Sequence, residues 1–425
     1  MRPARSFPRI YASSTALHAS DVTGGNTAEG FAKSLGPWYP CIMRVRYGFY
    51  ALGVLLVVGT TLGQKPHRVQ APAVKGLVAT DAQQSIMRHA QAVENGNQGG
   101  SDAVNVFNSS ADCERLWALG HRAPRGKEQA RMATWNVRYF PDGIPGESAS
   151  STLATNVPWL ACAIAWLNVD AIALEEVKSK PRSRDAMNAL VQRLNELTHE
   201  SYTYRIDDCP DSSSQHLAWV WNETRVSARA FRMHAAANPN GESCAGQLRP
   251  GFGVDLAFKG GLDLHAVALH LKSGTTERDR LLRHQSMDGL EAIVTAVVHE
   301  SGDKDLLLLG DMNSMGCDTC DPVQRGSAEA LEIDTRLRAF HVPMRRVPSD
   351  LGCSHYYQKH PALLDHFFVT DAMQEAAKNT LVEVQGYCRS QGCESIQGSA
   401  PTATLNLSDH CPIVLSLTDK DLDRE

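Results

Sequence analysis

The chain has 425 residues, with 42 lysines and arginines against 47 aspartates and glutamates, for a formal net charge of −5. Hydrophobic residues make up 43% of it, which excludes a disordered or collagen-like protein, because such chains carry too few apolar residues to build a core. The slight negative charge excludes a protein that coats nucleic acid through bulk positive charge, but leaves open an enzyme with a local basic groove.

The first segments in chain order suggest export. Residues 1–42 mix Ser, Gly, Pro, Ala and Thr without a clear period, and we interpret them as a doubtful extension before a start at Met43. Residues 43–64 join a short basic start to an apolar core, the pattern of a cleaved secretory signal. An uncleaved anchor and a buried helix are the alternatives, since a spanning helix needs about 20 apolar residues. We therefore expect a secreted or periplasmic protein, or a membrane-anchored one.

The cysteines also favour an oxidising compartment. Cys41 is one of 11 cysteines and would be lost with the signal, which leaves an even number, as disulfides require. Spacing suggests three local pairs: Cys209–Cys244, Cys317–Cys320 and Cys388–Cys393. Half a zinc knuckle or a redox pair is the competing interpretation of the CxxC motif, but no second CxxC accompanies it. Spacing does not determine the connectivity.

The remaining chain divides into a linker and one domain. Residues 65–128 are rich in polar and glycine residues in their middle and predict a linker or poorly ordered segment with weak local helix, tethered at its end by Cys113. Residues 129–420 alternate short apolar strands with amphipathic helices, which predicts a mixed sheet or two packed sheets flanked by helices. The predicted strands are 131–137, 170–175, 202–206, 217–222, 226–232, 252–258, 262–271, 305–310, 364–370, 380–385 and 412–417. The predicted helices are 152–168, 184–198, 276–300 and 326–339.

The most informative segment is a buried strand that ends in Gly-Asp-Met-Asn. Asp311 and Asn313 are two positions apart in an extended chain, so their side chains face the same way. A carboxylate beside an amide can orient a water molecule and hold a phosphate oxygen. The alternative is a polar turn in which the aspartate caps a helix.

Two further segments pair an aspartate with a histidine. Asp409 and His410 precede a strand, where a histidine can serve as a base or stabilise a phosphoryl oxygen. Asp365 and His366 open another strand and face opposite ways, so only one of them can enter a site. We predict that Asp365 orients His410 and that His366 has a structural role. The alternative is that both segments form local turns whose polar side chains are hydrogen-bonded within the turn.

Three more strand ends carry polar side chains. Glu175 and Glu176 end one strand, and one of them could bind a hard cation such as Mg²⁺. His270 and Lys272 share a strand face, where a positive charge would complement a phosphate. Asn136 ends the first strand and could orient water or complete the metal contacts. Each of these could equally be a surface polar residue at a strand end.

In this order the motifs Trp-Asn, Glu-Glu-Val, His-Leu-Lys-Ser-Gly, Gly-Asp-Met-Asn, Leu-Asp-His and Ser-Asp-His-Cys-Pro resemble those of the endonuclease/exonuclease/phosphatase superfamily, over about residues 129–418. The resemblance implies a four-layered α/β sandwich, with two packed mixed sheets flanked by helices. It implies hydrolysis of a phosphoester with Mg²⁺, or with Mn²⁺ or Ca²⁺. The catalytic residues that it implies are His270, Asp311, Asn313, Asp365 and His410. The metal site that it implies comprises Asn136, Glu176 and Asp409.

Two positions depart from that superfamily's pattern. Glu175 stands where the family usually has glutamine, and the extra carboxylate could raise metal affinity or face away. Gln215 falls near the place where the secreted nucleases have a glutamate that pairs with the first catalytic histidine. Because glutamine cannot stabilise an imidazolium as a carboxylate does, this departure argues against a general-acid role for His270.

The motifs together predict a secreted or periplasmic nuclease that cleaves DNA or RNA by in-line attack of water. A sphingomyelinase-like or small-molecule phosphodiesterase is the enzymatic alternative, with a phospholipid or small phosphoester as substrate, and a binding module without catalysis is the third. Lys272 and Tyr356 are predicted to bind the substrate; the tyrosine, like Tyr357, could instead pack in the core. Basic residues that could follow a nucleic-acid backbone, or form a solvated helix face, are Lys272, Arg278, Arg280, Arg283, Arg345 and Arg346. No obligate protein partner is expected.

Overall fold

The computed structural model describes residues 105–143, 154–210, 215–241, 244 and 248–423. All of them belong to one compact unit of the chain, Met87–Glu425. The predicted extension and signal lie outside the described residues. Within those residues, no helix has the length and apolar character needed to span a bilayer.

The described helices are α1 (Ser110–Ala118), α2 (Val157–Leu167), α3 (Pro181–Thr198), α4 (Glu277–Ser301), α5 (Gly326–Arg338), α6 (Gly386–Gln391) and α7 (Thr402–Asn406). Local capping explains where several of them begin. The Asn156 side chain accepts a hydrogen bond from the backbone of Trp159 at the start of α2. Thr276 and Asp279 form a reciprocal capping box at the start of α4. The long predicted helices are therefore present, although α2 begins at residue 157 rather than 152.

The described strands are β1 (Gln129–Phe140), β2 (Ala171–Val177), β3 (Tyr202–Ile206), β4 (His216–Asn222), β5 (Val226–His234), β6 (Gly251–Phe258), β7 (Asp263–His270), β8 (Leu306–Asp311), β9 (Gly316–Cys317), β10 (Gln324–Arg325), β11 (Met344–Arg346), β12 (His355–Tyr357), β13 (His360–Ala362), β14 (Asp365–Thr370), β15 (Glu383–Val384) and β16 (Ile413–Thr418). They form two six-stranded sheets with the orders β15-β16-β1-β2-β4-β3 and β11-β14-β8-β7-β6-β5, and two short ribbons. Each large sheet is mixed, because β1 and β2 are parallel in one and β7 and β8 are parallel in the other.

The two sheets pack face to face, and helices cover their outer faces. Alternate residues of β8 show this layering, since neighbouring side chains of a strand point to opposite faces. Leu307 and Leu309 belong to the core that joins both sheets with α2 and α3. Leu306 and Leu308 belong to a second core, shared with α4 and α5. The predicted four-layered α/β sandwich is therefore confirmed.

The disulfides confirm part of the predicted pairing. Bonds join Cys113–Cys162, Cys209–Cys244, Cys317–Cys320, Cys353–Cys393 and Cys388–Cys411. The predicted pair between Cys388 and Cys393 is wrong. Cys388 lies in α6 and points into the core toward Cys411, just before β16, whereas Cys393 lies beyond the helix end.

Residues 105–128 pack against the domain. Val106 and Phe107 are buried against α2: Trp159 Nε1 donates to the backbone oxygen of Val106 at 2.8 Å, and the Phe107 ring contacts Trp166. Cys113 ties α1 to α2 through its disulfide. The local helix and the tether suggested by the sequence are both present. The outer limits of the catalytic domain stay a prediction.

Candidate active site

Six chain segments converge at one end of the sandwich because of the strand directions. The parallel strands β1 and β2 bring their carboxyl ends there in one sheet, as do β7 and β8 in the other. The strands β16 and β14 run antiparallel to β1 and β8, so their amino-terminal ends lie at the same edge. Between them is a cavity of about 280 Å³. Predicted residues that line it are Glu176, His270, Lys272, Asp311, Asn313, Asp409 and His410.

The end of β8 owes its course to a glycine. Gly310 has φ +132°, and a Cβ there would lie 2.0 Å from the carbonyl oxygen of Leu269 on the neighbouring strand. Only glycine allows this close approach. The next residue, Asp311, lies opposite His270 and Asp365 in the register of the sheet. The Gly-Asp sequence therefore fixes the level at which three site residues meet.

The Asp311 carboxylate is almost fully buried and hydrogen-bonded through both oxygens. Its Oδ1 accepts from the backbone of Asn313 at 2.8 Å, and its Oδ2 accepts from Nδ2 of Asn136 at 3.1 Å. Burial raises the pKa of Asp311 to about 7; the charge of His410 opposes this rise and that of Asp365 adds to it. Such a pKa suits a group that exchanges a proton near neutral pH.

His410 and Asp365 form the predicted dyad. His410 Nδ1 lies 3.0 Å from Asp365 Oδ2, and the same oxygen accepts from Ser354 Oγ at 2.6 Å. The other ring nitrogen, Nε2, lies 3.7 Å from Asp311 Oδ2. Burial lowers the pKa of His410, but the charges of Asp365 and Asp311 outweigh it and raise the pKa to about 10. This imidazole is therefore charged at neutral pH, with one nitrogen directed at the cleft.

His270 differs from His410 in its charge. Its Nε2 lies 3.7 Å from Glu176 Oε1 and 3.6 Å from Asp311 Oδ2. Its Nδ1 is buried and has no hydrogen-bond partner among the described residues. Burial, followed by the charges of Arg249 and His410, lowers the pKa of His270 well below its usual value. A neutral His270 can donate or accept a hydrogen bond but cannot supply a proton as an imidazolium.

The carboxylates of Glu176 and Asp409 meet in the same cleft. Glu176 Oε2 accepts from the backbone of Tyr139 at 3.1 Å. Burial and then the charge of Asp409 raise the pKa of Glu176, so the two acids repel each other. Both carboxylates line the cavity, and carboxylate oxygens are the ligands that a hard divalent cation such as Mg²⁺ prefers. Asp409 also belongs to a compact group of possible metal ligands with His355 and His410, whereas Glu176 belongs to no such group among the described residues. A cation near Glu176 and Asp409 would offset their repulsion, so these side chains fit the metal that the sequence predicts.

Backbone strain accompanies these positions. Glu176 has φ 62°, Asn313 has φ 48°, and Arg138 and Tyr139 have φ 45° and 51°. Left-handed conformations are uncommon for residues other than glycine and tend to occur at functional sites. Here they turn the chain where three strands reach the cavity.

Two predicted residues support the cleft without lining it. Asn136 donates from Nδ2 to Asp311 Oδ2 at 3.1 Å, and its Oδ1 accepts from the backbone of Arg138 at 3.0 Å. Asp365 lies behind His410, where it accepts from that ring and from Ser354. The metal contact predicted for Asn136 stays a prediction. Asp365 lies in the position, next to His410 Nδ1, from which it was predicted to orient that ring.

The predicted substrate-binding tyrosine needs a correction. Tyr356 is only 4% exposed, and its hydroxyl donates to the backbone oxygen of Glu394 at 2.9 Å. Its neighbour Tyr357 is 60% exposed and lines the cavity. Neighbouring side chains of β12 point to opposite faces, so Tyr356 packs in the interior and Tyr357 faces the cleft. Lys272 does line the cleft, with Nζ 3.0 Å from Asp279.

Several basic residues that could follow a nucleic-acid backbone are engaged elsewhere. Arg283 is fully buried and pairs with Glu329 at 2.8 Å. Arg280 pairs with Glu332 at 2.7 Å, and Arg345 donates to the backbone oxygen of Ala376. These contacts give three of the six predicted basic residues a structural role.

The departures from the superfamily pattern have distinct surroundings. Glu175 is fully buried and does not line the cavity; its Oε1 accepts from Thr134 Oγ1 at 2.5 Å. Burial raises its pKa well above the usual value, so the neutral acid is favoured. Of the two open alternatives, the extra carboxylate faces away from the cleft. His366 is also buried, with Nε2 3.1 Å from Ser314 Oγ, which agrees with a structural role.

The sequence interpretation missed a buried arginine. Arg249 lines the cavity, donates to Gln215 Oε1 at 2.5 Å and donates through Nε to the backbone oxygen of His270 at 3.3 Å. Gln215 thus partners a cation rather than a histidine. The signal was an arginine directly before β6, whose start lies at the cleft end because β6 runs antiparallel to β7.

His355 was also missed. Its ring centroid lies 4.3 Å from that of His410, and an isolated bridge pairs the two backbones. Burial and the charge of His410 lower the pKa of His355 to about 4. It therefore packs as a neutral ring against the charged imidazole. Its position depends on a three-residue strand that the sequence pattern did not predict.

No protein-family model matches this sequence, and no curated protein matches it. Solved structures similar to this chain include an endonuclease/exonuclease/phosphatase from Bacteroides vulgatus, at 18% identity and TM-score 0.44, covering 68% of this chain and 99% of that one. The human Nocturnin catalytic domain with bound sulfate is 14% identical, with TM-score 0.43 and coverage of 69% and 96%. Truncated TDP2 from Caenorhabditis elegans is 12% identical, with TM-score 0.44 and coverage of 68% and 98%. These are remote similarities, and the first bears the name of the superfamily that the motifs resemble.

Proposed function

We propose that this protein is a secreted, metal-dependent phosphodiesterase that cleaves nucleic acid by in-line attack of water. The observation that carries the proposal is the surroundings of Asp311 Oδ2. Asn136, His270 and His410 place nitrogens at 3.1, 3.6 and 3.7 Å from this oxygen. A carboxylate held among imidazoles beside Glu176 is the arrangement needed to activate water against a phosphate.

The division of labour follows from the protonation states. Asp311, whose pKa is about 7, orients the attacking water and takes its proton. His410 is charged and directs Nε2 into the cleft, so it stabilises negative charge on a non-bridging oxygen. Asp365 holds the tautomer and orientation of His410. His270 is neutral and contributes a hydrogen bond rather than a proton.

Two further side chains complement the phosphate. Asn313 donates from Nδ2 to the backbone oxygen of Leu271 at 3.0 Å, and its second amide hydrogen is left for a phosphoryl oxygen. Arg249 adds positive charge at the base of the cleft. Glu176 and Asp409, with Asn136 beside them, would hold the metal. When bound, Mg²⁺ would neutralise charge that develops on the non-bridging and leaving oxygens.

Export is proposed on separate grounds. The five disulfides of the described residues suit an oxidising compartment. Secretion of the expressed protein, with a mature amino terminus just beyond residues 43–64, is the expected result. Retention of that segment in a membrane fraction would favour the anchored alternative.

The experiment is a substrate panel with matched variants. Plasmid DNA, RNA, sphingomyelin and bis-p-nitrophenyl phosphate are each incubated with Mg²⁺ or with chelator. We expect metal-dependent cleavage of nucleic acid, and a loss of at least about 100-fold in Asp311→Ala and His410→Ala. Asp263→Ala, an exposed aspartate at the start of β7, is the control and should retain activity. If only sphingomyelin is turned over, the proposed nucleic-acid substrate is wrong and a phospholipid takes its place. If no substrate is turned over, the proposal is rejected.

A further inference from the structure

A second cluster of acids lies at the far end of β8. Asp305 immediately precedes this strand, Glu375 follows β14, and Asp423 follows β16. Their carboxylates each offer an oxygen, and these oxygens all lie within 4.8 Å of one another. Asp311, at the other end of the strand, belongs to the cleft. The acidic cluster is therefore separate from the candidate active site.

Two members of the cluster are buried without adequate partners. Asp305 is 4% exposed and Glu375 is 2% exposed. Oδ1 of Asp305 and Oε2 of Glu375 have no hydrogen-bond partner among the described residues. Burying a carboxylate oxygen without a hydrogen bond or a counter-charge is costly, so native structures rarely leave one unpaired. Two such oxygens in one cluster indicate that a positively charged partner belongs between them.

The electrostatic surroundings point the same way. A fourth carboxylate lies beside the cluster, because Asp303 Oδ1 accepts from the backbone of Asp305 at 2.6 Å. Like charges gathered in a low-dielectric region require either a bound proton or a bound cation. A proton can bridge only two of the carboxylates, whereas one cation can contact all three. Asp423 is partly exposed, which leaves a path from solvent for an ion.

We propose that Asp305, Glu375 and Asp423 form a Ca²⁺ site that fastens the segment after β16 to the second sheet. The three oxygens lie close enough together to contact one ion. Three carboxylates from separate elements suit Ca²⁺, which takes most of its oxygen ligands from protein, whereas Mg²⁺ usually keeps several waters and binds only one or two carboxylates. Water and backbone carbonyls complete the six to eight ligands that Ca²⁺ takes.

The surrounding hydrogen bonds explain what the ion would stabilise. The backbone of Thr418 donates to the carbonyl oxygen of Glu375 at 3.0 Å, and the backbone of Leu422 donates to Glu375 Oε1 at 2.6 Å. Glu375 thus already anchors the segment after β16 through one carboxylate oxygen. An ion on its other oxygen, shared with Asp305 and Asp423, would link this segment to the start of β8.

The test is a Ca²⁺ titration of chelator-treated protein, followed by Tm and by equilibrium binding of radioactive Ca²⁺. The wild type should gain at least about 3 °C in Tm at saturating Ca²⁺. The Asp305→Asn/Glu375→Gln double variant should lose this gain and bind one Ca²⁺ fewer per chain. The milder Asp423→Asn variant, which changes a partly exposed residue, should require more Ca²⁺ for the same gain. Asp263→Asn is the control and should respond as the wild type does.

A Glu176→Gln variant separates the two sites, because it alters the cleft and should keep the Ca²⁺-dependent rise in Tm. The proposal is overturned if Ca²⁺ leaves the Tm of the wild type unchanged. It is also overturned if the double variant responds as the wild type does. A Ca²⁺-insensitive wild type that Asp305→Asn stabilises would assign a shared proton to the cluster instead.

Discussion

An aspartate stands at each end of β8, and the two have opposite surroundings. Asp311 meets hydrogen-bond donors on both oxygens and a charged His410 at 3.7 Å. Asp305 meets other acids, and one of its oxygens has no partner among the described residues. Between them β8 is buried at every position, and its first four residues are leucines. We therefore propose that the two aspartates serve different purposes, catalysis at one end of β8 and ion binding at the other, according to which loops cover that end.

The largest expected effect separates the two ends by activity. His410→Gln should lower kcat/KM for nucleic acid by about 10²–10⁴-fold, because it removes the charge that stabilises the transition state. Glu375→Gln, at the other end, should leave kcat/KM within about twofold of the wild type. Steady-state kinetics at fixed Mg²⁺ measure both. Equal losses in the two variants would mean that the ends are not functionally distinct.

The next effect concerns a buried neutral histidine near the catalytic end. Burial, aided by the charge of Arg346, lowers the pKa of His366 to about 3. A pKa depressed from about 6.5 gives a stabilising contribution that is complete above pH 6.5 and is lost as the pH falls through 3. Between pH 6.5 and pH 4 the free energy of unfolding of the wild type should therefore fall by about 3 kcal/mol more than that of His366→Gln. Urea unfolding at several pH values measures this, and parallel pH profiles would contradict it.

A smaller effect is expected from the support of the dyad. Ser354 Oγ donates to Asp365 Oδ2 and accepts from the backbone of Leu364 at 3.1 Å. Ser354→Ala should cost about 1–3 kcal/mol of stability, because it leaves buried polar groups unpaired. Activity should fall less than in His410→Gln. Thermal unfolding and kinetics on the same preparation test this, and Ser390→Ala, at a serine outside the cleft, is the matched control.

The smallest effect sharpens the meaning of the extra acid in the Glu-Glu motif. Glu175→Gln replaces a neutral buried acid with a neutral amide of similar shape. We expect less than about 1 kcal/mol change in stability and no change in the Mg²⁺ concentration that gives half-maximal activity. Glu176→Gln should raise that Mg²⁺ concentration by more than about tenfold. A comparable rise in both variants would place Glu175 among the metal ligands.

Much of the site could be predicted because it depends on strand ends. The i, i+2 spacing of Asp311 and Asn313 and the strand-opening positions of Asp365 and His410 each have a local physical meaning. Arg249 was missed because its place follows from the antiparallel pairing of β6 with β7, a long-range contact. Tyr356 was misplaced because the register of β12 decides which tyrosine faces the core.

The same distinction applies to the fold and its crosslinks. Amphipathic periodicity predicts long helices such as α4, whose apolar side must be covered by a sheet. The pairing of Cys388 with Cys411 instead depends on how a short helix docks beside β16. Spacing in the sequence favoured the nearer Cys393. Local sequence patterns therefore predicted the long helices, whereas the pairing of Cys388 depended on how a short helix packs, which such patterns do not reveal.

The register between β1 and β16 has a consequence for the order of folding. These strands pair residues 129 and 418, so a very large loop must close before they meet. Such distant pairings slow the search for the native state. His410 takes its place only when β16 has paired, whereas β1 and β2 are neighbours in the chain. In a refolding experiment, enzymatic activity should consequently return after helical circular dichroism has recovered.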